Sequence, residues 1–214
     1  MNKVSACLLT SCFLFTSCGD DDFEYPNIVT ELAEITIASS AGNLIQFSTD
    51  KGELWTIANN VKLEGMKSDS IYRKIATYEP MSENKAILYS LDFPVASLPI
   101  KETEIKGPVT TDPVQIQRLW KTDRYLNAVA EVKVKDKQHS FSFIDKGCRG
   151  NSNGTKTLQI LLSHDKNNDI EGFTEKVYLS IPLWPYENEL RTGDSICFEV
   201  NTVKEGYITK TIPY

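Results

Sequence analysis

Histidine is scarce in this chain, two in 214 residues, and that limits the chemistry the sequence can support. A metal centre built on His139 and His164 would need carboxylates to complete it, and Asp145 and Asp165 are candidates. Ser163-His164-Asp165 sets three triad residue types side by side. A triad is a spatial arrangement, however, and neighbours on a strand point to opposite faces. No Gly-x-Ser-x-Gly elbow and no cofactor-binding motif is present. Basic side chains are a minority, 23 Lys and Arg against 29 Asp and Glu, and form no cluster. Phosphate binding relies on such cations, so the balance argues against nucleic acid as a partner. Long helical periodicity and internal repeats are absent, and past the N-terminus no run is apolar enough to enter a membrane.

What is present begins with Met1-Asn2-Lys3 and an apolar stretch from Val4 to Phe15. This stretch falls short of the about 20 apolar residues that span a bilayer, and matches the core of a secretory signal. It ends in Phe15-Thr16-Ser17-Cys18, which resembles the lipobox of bacterial lipoprotein precursors. Small residues there let peptidase and lipid approach the backbone. Leu9-Thr10-Ser11-Cys12 is also lipobox-like, but cleavage there leaves an apolar core below the usual minimum of about seven residues. Residues 1–17 therefore read as a signal peptide and Cys18 as the lipidated first residue of the mature protein. Two or more acyl chains, at about 0.8 kcal/mol per buried methylene, anchor a protein without a transmembrane helix.

Gly19-Asp20-Asp21-Asp22 follows Cys18 directly. Cys-Gly-Asp-Asp-Asp resembles the acidic signal that carries lipoproteins of the Bacteroidetes to the cell surface. The same run also serves as a charged tether holding the folded body off the bilayer. Removal of residues 1–17 from the 214 leaves 197, with 22 basic and 29 acidic side chains and a formal charge of −7. Beyond Cys18, only Cys148 and Cys197 remain of the five cysteines. A disulfide between them would close a loop of about 50 residues, worth about 3–4 kcal/mol. Two separate thiols packed as small hydrophobes are the alternative.

After the tether (18–29), the pattern takes period two. Leu32 to Ile37, Asn43 to Ser48, Glu53 to Ile57, Ile71 to Tyr78 and Lys85 to Leu91 read as five short strands, separated by turns such as Asp50-Lys51-Gly52. Five strands in this span suit a small OB-like β-barrel over residues 30–104. Pro94, Pro99, Pro108 and Pro113 then crowd a segment that reads as an inter-domain connection. Six or seven strands follow: Tyr125 to Val134, His139 to Asp145, Thr157 to His164, Lys176 to Ile181, Ser195 to Val200 and Tyr207 to Ile212. They predict a β-sandwich over residues 105–214. Val114 to Trp120 reads as a turn or two of helix. The expected fold class is thus all-β, a small barrel followed by a sandwich.

With its lipobox, acidic run and β pattern, the chain resembles the NigD-like family of Bacteroidales lipoproteins. Leu119-Trp120, Tyr125-Leu126-Asn127, His139 and Leu158 to His164 carry the resemblance further. It implies an OB-like domain followed by a β-sandwich, and no activity, cofactor or catalytic residue.

Other residues invite sharper readings. Asp165-Lys166-Asn167-Asn168-Asp169 starts like a calcium loop, but Ile170 and Lys176 stand where Gly and Glu are required, so it reads as a solvated hairpin turn. Pro182-Leu183-Trp184-Pro185-Tyr186 reads as a loop, and Trp184 and Tyr186 are candidate ligand-facing aromatics, although packing accounts for most large aromatics in β proteins. Ser70 and Ser195 each sit in an Asp-Ser-Ile stretch resembling the O-glycosylation motif of Bacteroidetes envelope proteins. The functional expectation is an outer-membrane lipoprotein, lipid-anchored at Cys18 and facing the cell exterior. It would work as a non-catalytic binding or accessory module for a protein or glycan partner. A periplasm-facing structural role is the alternative, and a hydrolase using His164 and Asp165 stands third.

Overall fold

A computed structural model describes residues 25–37, 44–61, 67 and 70–214. The signal segment, Cys18 and the acidic run Asp20 to Asp22 lie outside the described residues. The first five strands are β1 (Val29–Ile37), β2 (Leu44–Thr49), β3 (Leu54–Ile57), β4 (Ile71–Pro80) and β5 (Lys85–Asp92). They close into a barrel in the order β1-β2-β3-β5-β4. Strand β1 bridges the barrel by pairing antiparallel with both β2 and β4, and β3 meets β5 in parallel. Closure leaves no free sheet edge. The interior holds Ala33, Ile35, Phe47, Ala76, Tyr78, Ala86 and Leu88. Small alanines make room for Phe47 and Tyr78, whose rings meet edge to face at 4.9 Å.

The remaining strands are β6 (Val95–Ala96), β7 (Ile100–Lys101), β8 (Gln115–Lys121), β9 (Tyr125–Val134), β10 (Ser140–Gly150), β11 (Lys156–Asp165), β12 (Phe173–Pro182), β13 (Ser195–Thr202) and β14 (Gly206–Pro213). They form two stacked sheets, β14-β13-β11-β10-β7 and β6-β12-β9-β8. Inward residues alternate along β11 and β13, where Leu158, Ile160, Leu162, Ile196, Phe198 and Val200 are buried against Leu126, Ala128, Leu179 and Ile181 of the facing sheet.

Three local expectations are corrected. Val114 to Trp120 is not helical; Gln115 to Lys121 is an edge strand paired with β9, with a register shift between Ile116 and Arg118. The proline-rich segment is not merely a connection, because Val95–Ala96 pairs with β12 and Ile100–Lys101 with β10. Two-residue strands at sheet edges tolerate the flanking Pro94 and Pro99, and they move the start of the sandwich from residue 105 to about residue 95. Asp165 to Asp169 does not turn a hairpin but carries the chain from β11 in one sheet to β12 in the other. Asn167 and Asn168 both hold positive φ there, a conformation Asn accepts more readily than most residues.

Strands β4 and β9 lose their alternation where the modules meet. Lys74, Ile75 and Ala76 are buried in succession, as are Tyr125, Leu126, Asn127 and Ala128. One face of each strand packs into its own module's core and the other against the neighbouring module.

Candidate functional site

The contact between barrel and sandwich is a buried polar joint. Arg73 of β4 pairs with Asp50 at 2.6 Å, its Nε donates to Ser180 Oγ at 2.9 Å, and its Nη2 donates to Asn127 Oδ1 at 3.1 Å. The guanidinium also stacks over the Tyr125 ring at 4.1 Å. Asp50 accepts from Asn127 Nδ2 at 3.0 Å and Trp120 Nε1 at 3.3 Å. Ser180 donates to Asn127 Oδ1 at 2.7 Å. A buried ion pair is tolerated when its remaining donors and acceptors are filled in this way.

Beside the joint opens a cleft of about 410 Å³, lined by Glu34, Asp50, Lys51, Arg73, Lys121, Arg124 and Tyr125 among others. Glu34 anchors its wall, accepting from Tyr125 Oη at 2.7 Å and pairing with Arg124 at 3.1 Å. Burial and the Glu34 carboxylate together push the Tyr125 phenol well above its ordinary range, so it stays a donor. At the rim, Trp184 packs edge-on against Tyr125 at 5.7 Å and is 40 % exposed. Arg124 stands over the Trp184 ring at 5.5 Å.

Trp184 thus occupies a position open to a ligand. Tyr186, the other aromatic singled out from the sequence, does not: it is buried and its hydroxyl is bonded to Asp145. A short 3₁₀ turn over Trp184–Tyr186 separates their fates, because residues two apart on it point to different sides. Ser70 is half-buried just ahead of β4, and Ser195 lies within β13 with its Oγ 2.8 Å from Thr157 Oγ1.

Cys148 and Cys197 are free and do not form the disulfide weighed above. Cys148 of β10 faces Leu158 of β11, and Cys197 belongs to β13 on the far side of β11. Two strand spacings come to about 10 Å, beyond the roughly 7 Å limit for disulfide Cα atoms. Burial, then the neighbouring Glu189 and Asp145 carboxylates, raises the Cys148 thiol to about 11, so it stays protonated.

The two histidines meet although 25 residues separate them, with His139 Nδ1 and His164 Nε2 3.0 Å apart. His164 Nδ1 lies 3.0 Å from the Asp112 carbonyl oxygen, so both its ring nitrogens are engaged within the fold. Ser163 is not its partner; that hydroxyl donates to the Thr110 carbonyl at 2.8 Å. Neither Asp145 nor Asp165 approaches the pair as a ligand would. The carboxylate at His139 is Asp169, 3.4 Å from Nε2. Sequence reasoning missed Asp169, along with Arg73 and Asp50 of the joint, because their roles come from contacts between distant segments.

The NigD-like C-terminal β-sandwich family model matches residues 96–214, the two stacked sheets and the histidine pair included. The chain belongs to the NigD-like family. A crystal structure of a NigD-like immunity protein from Bacteroides caccae is similar over 90% of this chain and 99% of its own, at 26% identity and a TM-score of 0.71. A protein of unknown function from Bacteroides vulgatus is 17% identical with a TM-score of 0.64, over 87% of this chain and 90% of its own. A candidate lipoprotein from Bacteroides fragilis is 9% identical with a TM-score of 0.60, over 88% and 97%. At these last two identities the likeness concerns the fold. A search of curated proteins finds no match. The family description names a domain architecture and no reaction, and the NigD-like residues quoted from the sequence, Trp120, Tyr125, Asn127, His139 and His164, fall at the joint and the histidine pair.

Proposed function

We propose that this NigD-like protein is an outer-membrane lipoprotein, anchored through Cys18 and displayed on the cell surface, that works as a non-catalytic module binding a protein partner at the cleft between barrel and sandwich. The observation that carries this reading is the exposed pair Trp184 and Arg124, propped on the buried Tyr125 of the cleft wall. Trp and Arg are enriched in protein-binding hot spots, since each brings a large contact area with a directional polar group. Trp184 is held by Tyr125 before any partner arrives, which lowers the ordering cost of binding. Lys51 and Arg124 alternate with Glu34 and Asp123 around the opening, the mixed-charge rim that selects a complementary protein surface. The description of the similar Bacteroides caccae protein as an immunity protein supports a protein over a glycan partner.

Two experiments test it. Protease treatment of intact cells is expected to remove the sandwich domain while a periplasmic control survives; protection until lysis would place the protein inward. A photo-crosslinking side chain in place of Trp184 is expected to give a discrete protein adduct on intact cells. The same group at Tyr207, exposed on the far edge of the sandwich, is expected to give none. Equal labelling at both positions would remove the cleft as the binding site.

A further inference from the structure

The histidine pair closes a chain of contacts whose proton positions can be worked out link by link. A carbonyl oxygen only accepts, so His164 Nδ1, 3.0 Å from Asp112 O, carries a hydrogen. His164 is buried, and that desolvation, against the pull of the Asp112 carbonyl, holds it below the ordinary histidine range and keeps it neutral. Its Nε2 is then a bare acceptor, and His139 Nδ1 at 3.0 Å must donate to it. His139 Nε2 is itself buried, with no hydrogen-bond partner among the described residues, and approaches Asp169 Oδ2 at 3.4 Å. Asp169 is a fixed anion, because it accepts from the backbone N–H groups of Lys135, Asp136 and Ile170. A bare Nε2 lone pair facing that anion would be repelled; an N–H there is attracted.

We infer that His139 and His164 share three protons over four ring nitrogens, a single imidazolium charge on His139 held against Asp169, and that a fourth proton on the pair unlatches the strap Thr110–Val114 from β11. The strap is stitched to β11 and its neighbour through His164 N to Thr110 O at 3.1 Å, Asp112 N to His164 O at 2.8 Å, and Asn201 Nδ2 to Thr111 O at 2.7 Å. Lys166 N donates to Asp112 Oδ2 at 2.8 Å. A proton on His164 Nε2 would set N–H against N–H at 3.0 Å, two cations side by side, and one ring must swing away. A metal does not replace the shared proton as readily. The ring centroids lie 5.1 Å apart, so the two nitrogens point at each other rather than at a common third point.

Other charges surround the pair. Asp112 on the strap and Asp165 at the end of β11 favour a proton on His164. Glu131 and Lys133 of β9, with Lys166 and Glu171 of the crossing loop, line the same cavity of about 320 Å³ and offset one another, while Lys135, Asp136 and Lys137 of the β9–β10 turn and Glu175 and Lys176 of β12 line the cavity on the other side of His139. Phe141 stacks on His164 at 4.5 Å and shields it from water.

The whole chain contains only these two histidines, so the protein labelled with ¹⁵N-histidine reports on the pair alone. At about pH 6, within the histidine titration range, the long-range ¹H–¹⁵N spectrum is expected to show two protonated nitrogens on His139, and Nδ1–H with bare Nε2 on His164. Lowering the pH towards about 5 is expected to raise hydrogen exchange in Thr110–Val114 several-fold beyond the intrinsic chemical effect. In His139→Gln the side-chain amide still donates to His164 but carries no charge, and the acid response is expected to vanish. A bare nitrogen on His139 at about pH 6 overturns the inference, and so does an acid response that persists in His139→Gln. Should His139→Gln fail to fold, the wild-type proton inventory alone decides.

Discussion

Asp169 and Asp194 do at single-residue scale what much of this protein's surface does not: each turns a carboxylate inward onto backbone N–H groups. Asp194 accepts from Lys156 N and Arg191 N, both at about 2.7–2.8 Å. At Asp169, burial works to raise the carboxyl, but the N–H bonds from Lys135, Asp136, Lys137 and Ile170 outweigh it and bring the group from 3.8 down to about 2. A carboxyl lowered in the folded state contributes stability above its unfolded value, and loses that contribution as pH falls through the folded one. Asp169→Asn is therefore expected to lower the thermal midpoint at pH 7, because its amide donors would face backbone donors. The gap from wild type is expected to narrow between about pH 4 and pH 2, as the wild-type carboxyl itself protonates. A gap that stays constant over that range in scanning calorimetry would rule out this account of Asp169.

At the scale of elements, the strands divide into those with guarded edges and those with none. The barrel has no edge, and β6 and β7 offer only two residues each. Strands β8 and β14 are the long edges, and β14 runs eight residues with β13 as its one neighbour. Its register places Lys210 opposite the buried Phe198, so an exposed lysine stands on the core-facing side of this edge. A charge pointing inward at an edge blocks another strand from adding there, since docking would bury it. Lys210→Val is expected to leave the fold intact and to produce concentration-dependent self-association in light scattering. A variant that stays as monodisperse as the wild type would show that β14 is guarded some other way.

The element scale also shows where sequence patterns carry information. Strands with one wet face, such as β13 with its strict alternation from Ser195 to Thr202, are legible from period two alone. Strand β8 was not: an apolar pair at Leu119-Trp120 after alternating polar residues fits a short helix equally well, and only pairing with β9 decides between them. Strands β6 and β7 lie among prolines that rule out central strands but not two-residue edges.

For the whole molecule, the decisive feature is the polar joint between the two modules, with Arg73 at its centre. Arg73 reaches residues 23, 54 and 107 positions away, and with Asp50, Asn127 and Ser180 it satisfies every member of the joint. Arg73→Met keeps an unbranched apolar stem but removes the cation that pairs with the Asp50 carboxylate at the interface. The expected loss is about 3–5 kcal/mol in denaturant unfolding. Separate transitions for barrel and sandwich are expected in place of a single cooperative one. A cooperative transition displaced by less than about 1 kcal/mol would mean that apolar packing, not this joint, couples the modules.

The cleft rests on the same joint, because Arg73 and Tyr125 form part of its wall and Trp184 stands on Tyr125. Its composition could be glimpsed in the sequence, where Trp184 stood out as an aromatic in a proline-flanked loop. That Tyr186 turns inward while Trp184 remains outside depended on the path of a single 3₁₀ turn.

By itself the sequence determined the β class, the division into a barrel and a sandwich, and most strand positions. Each of these is written in residues close together along the chain, as a two-residue period, a turn or a short motif. Tertiary structure alone decided that β11 separates Cys148 from Cys197, that His139 meets His164, and that Arg73 joins two modules. Those contacts depend on strand order and register. Slipping a strand by one residue reverses its faces without changing its composition, so nothing local in the chain records them.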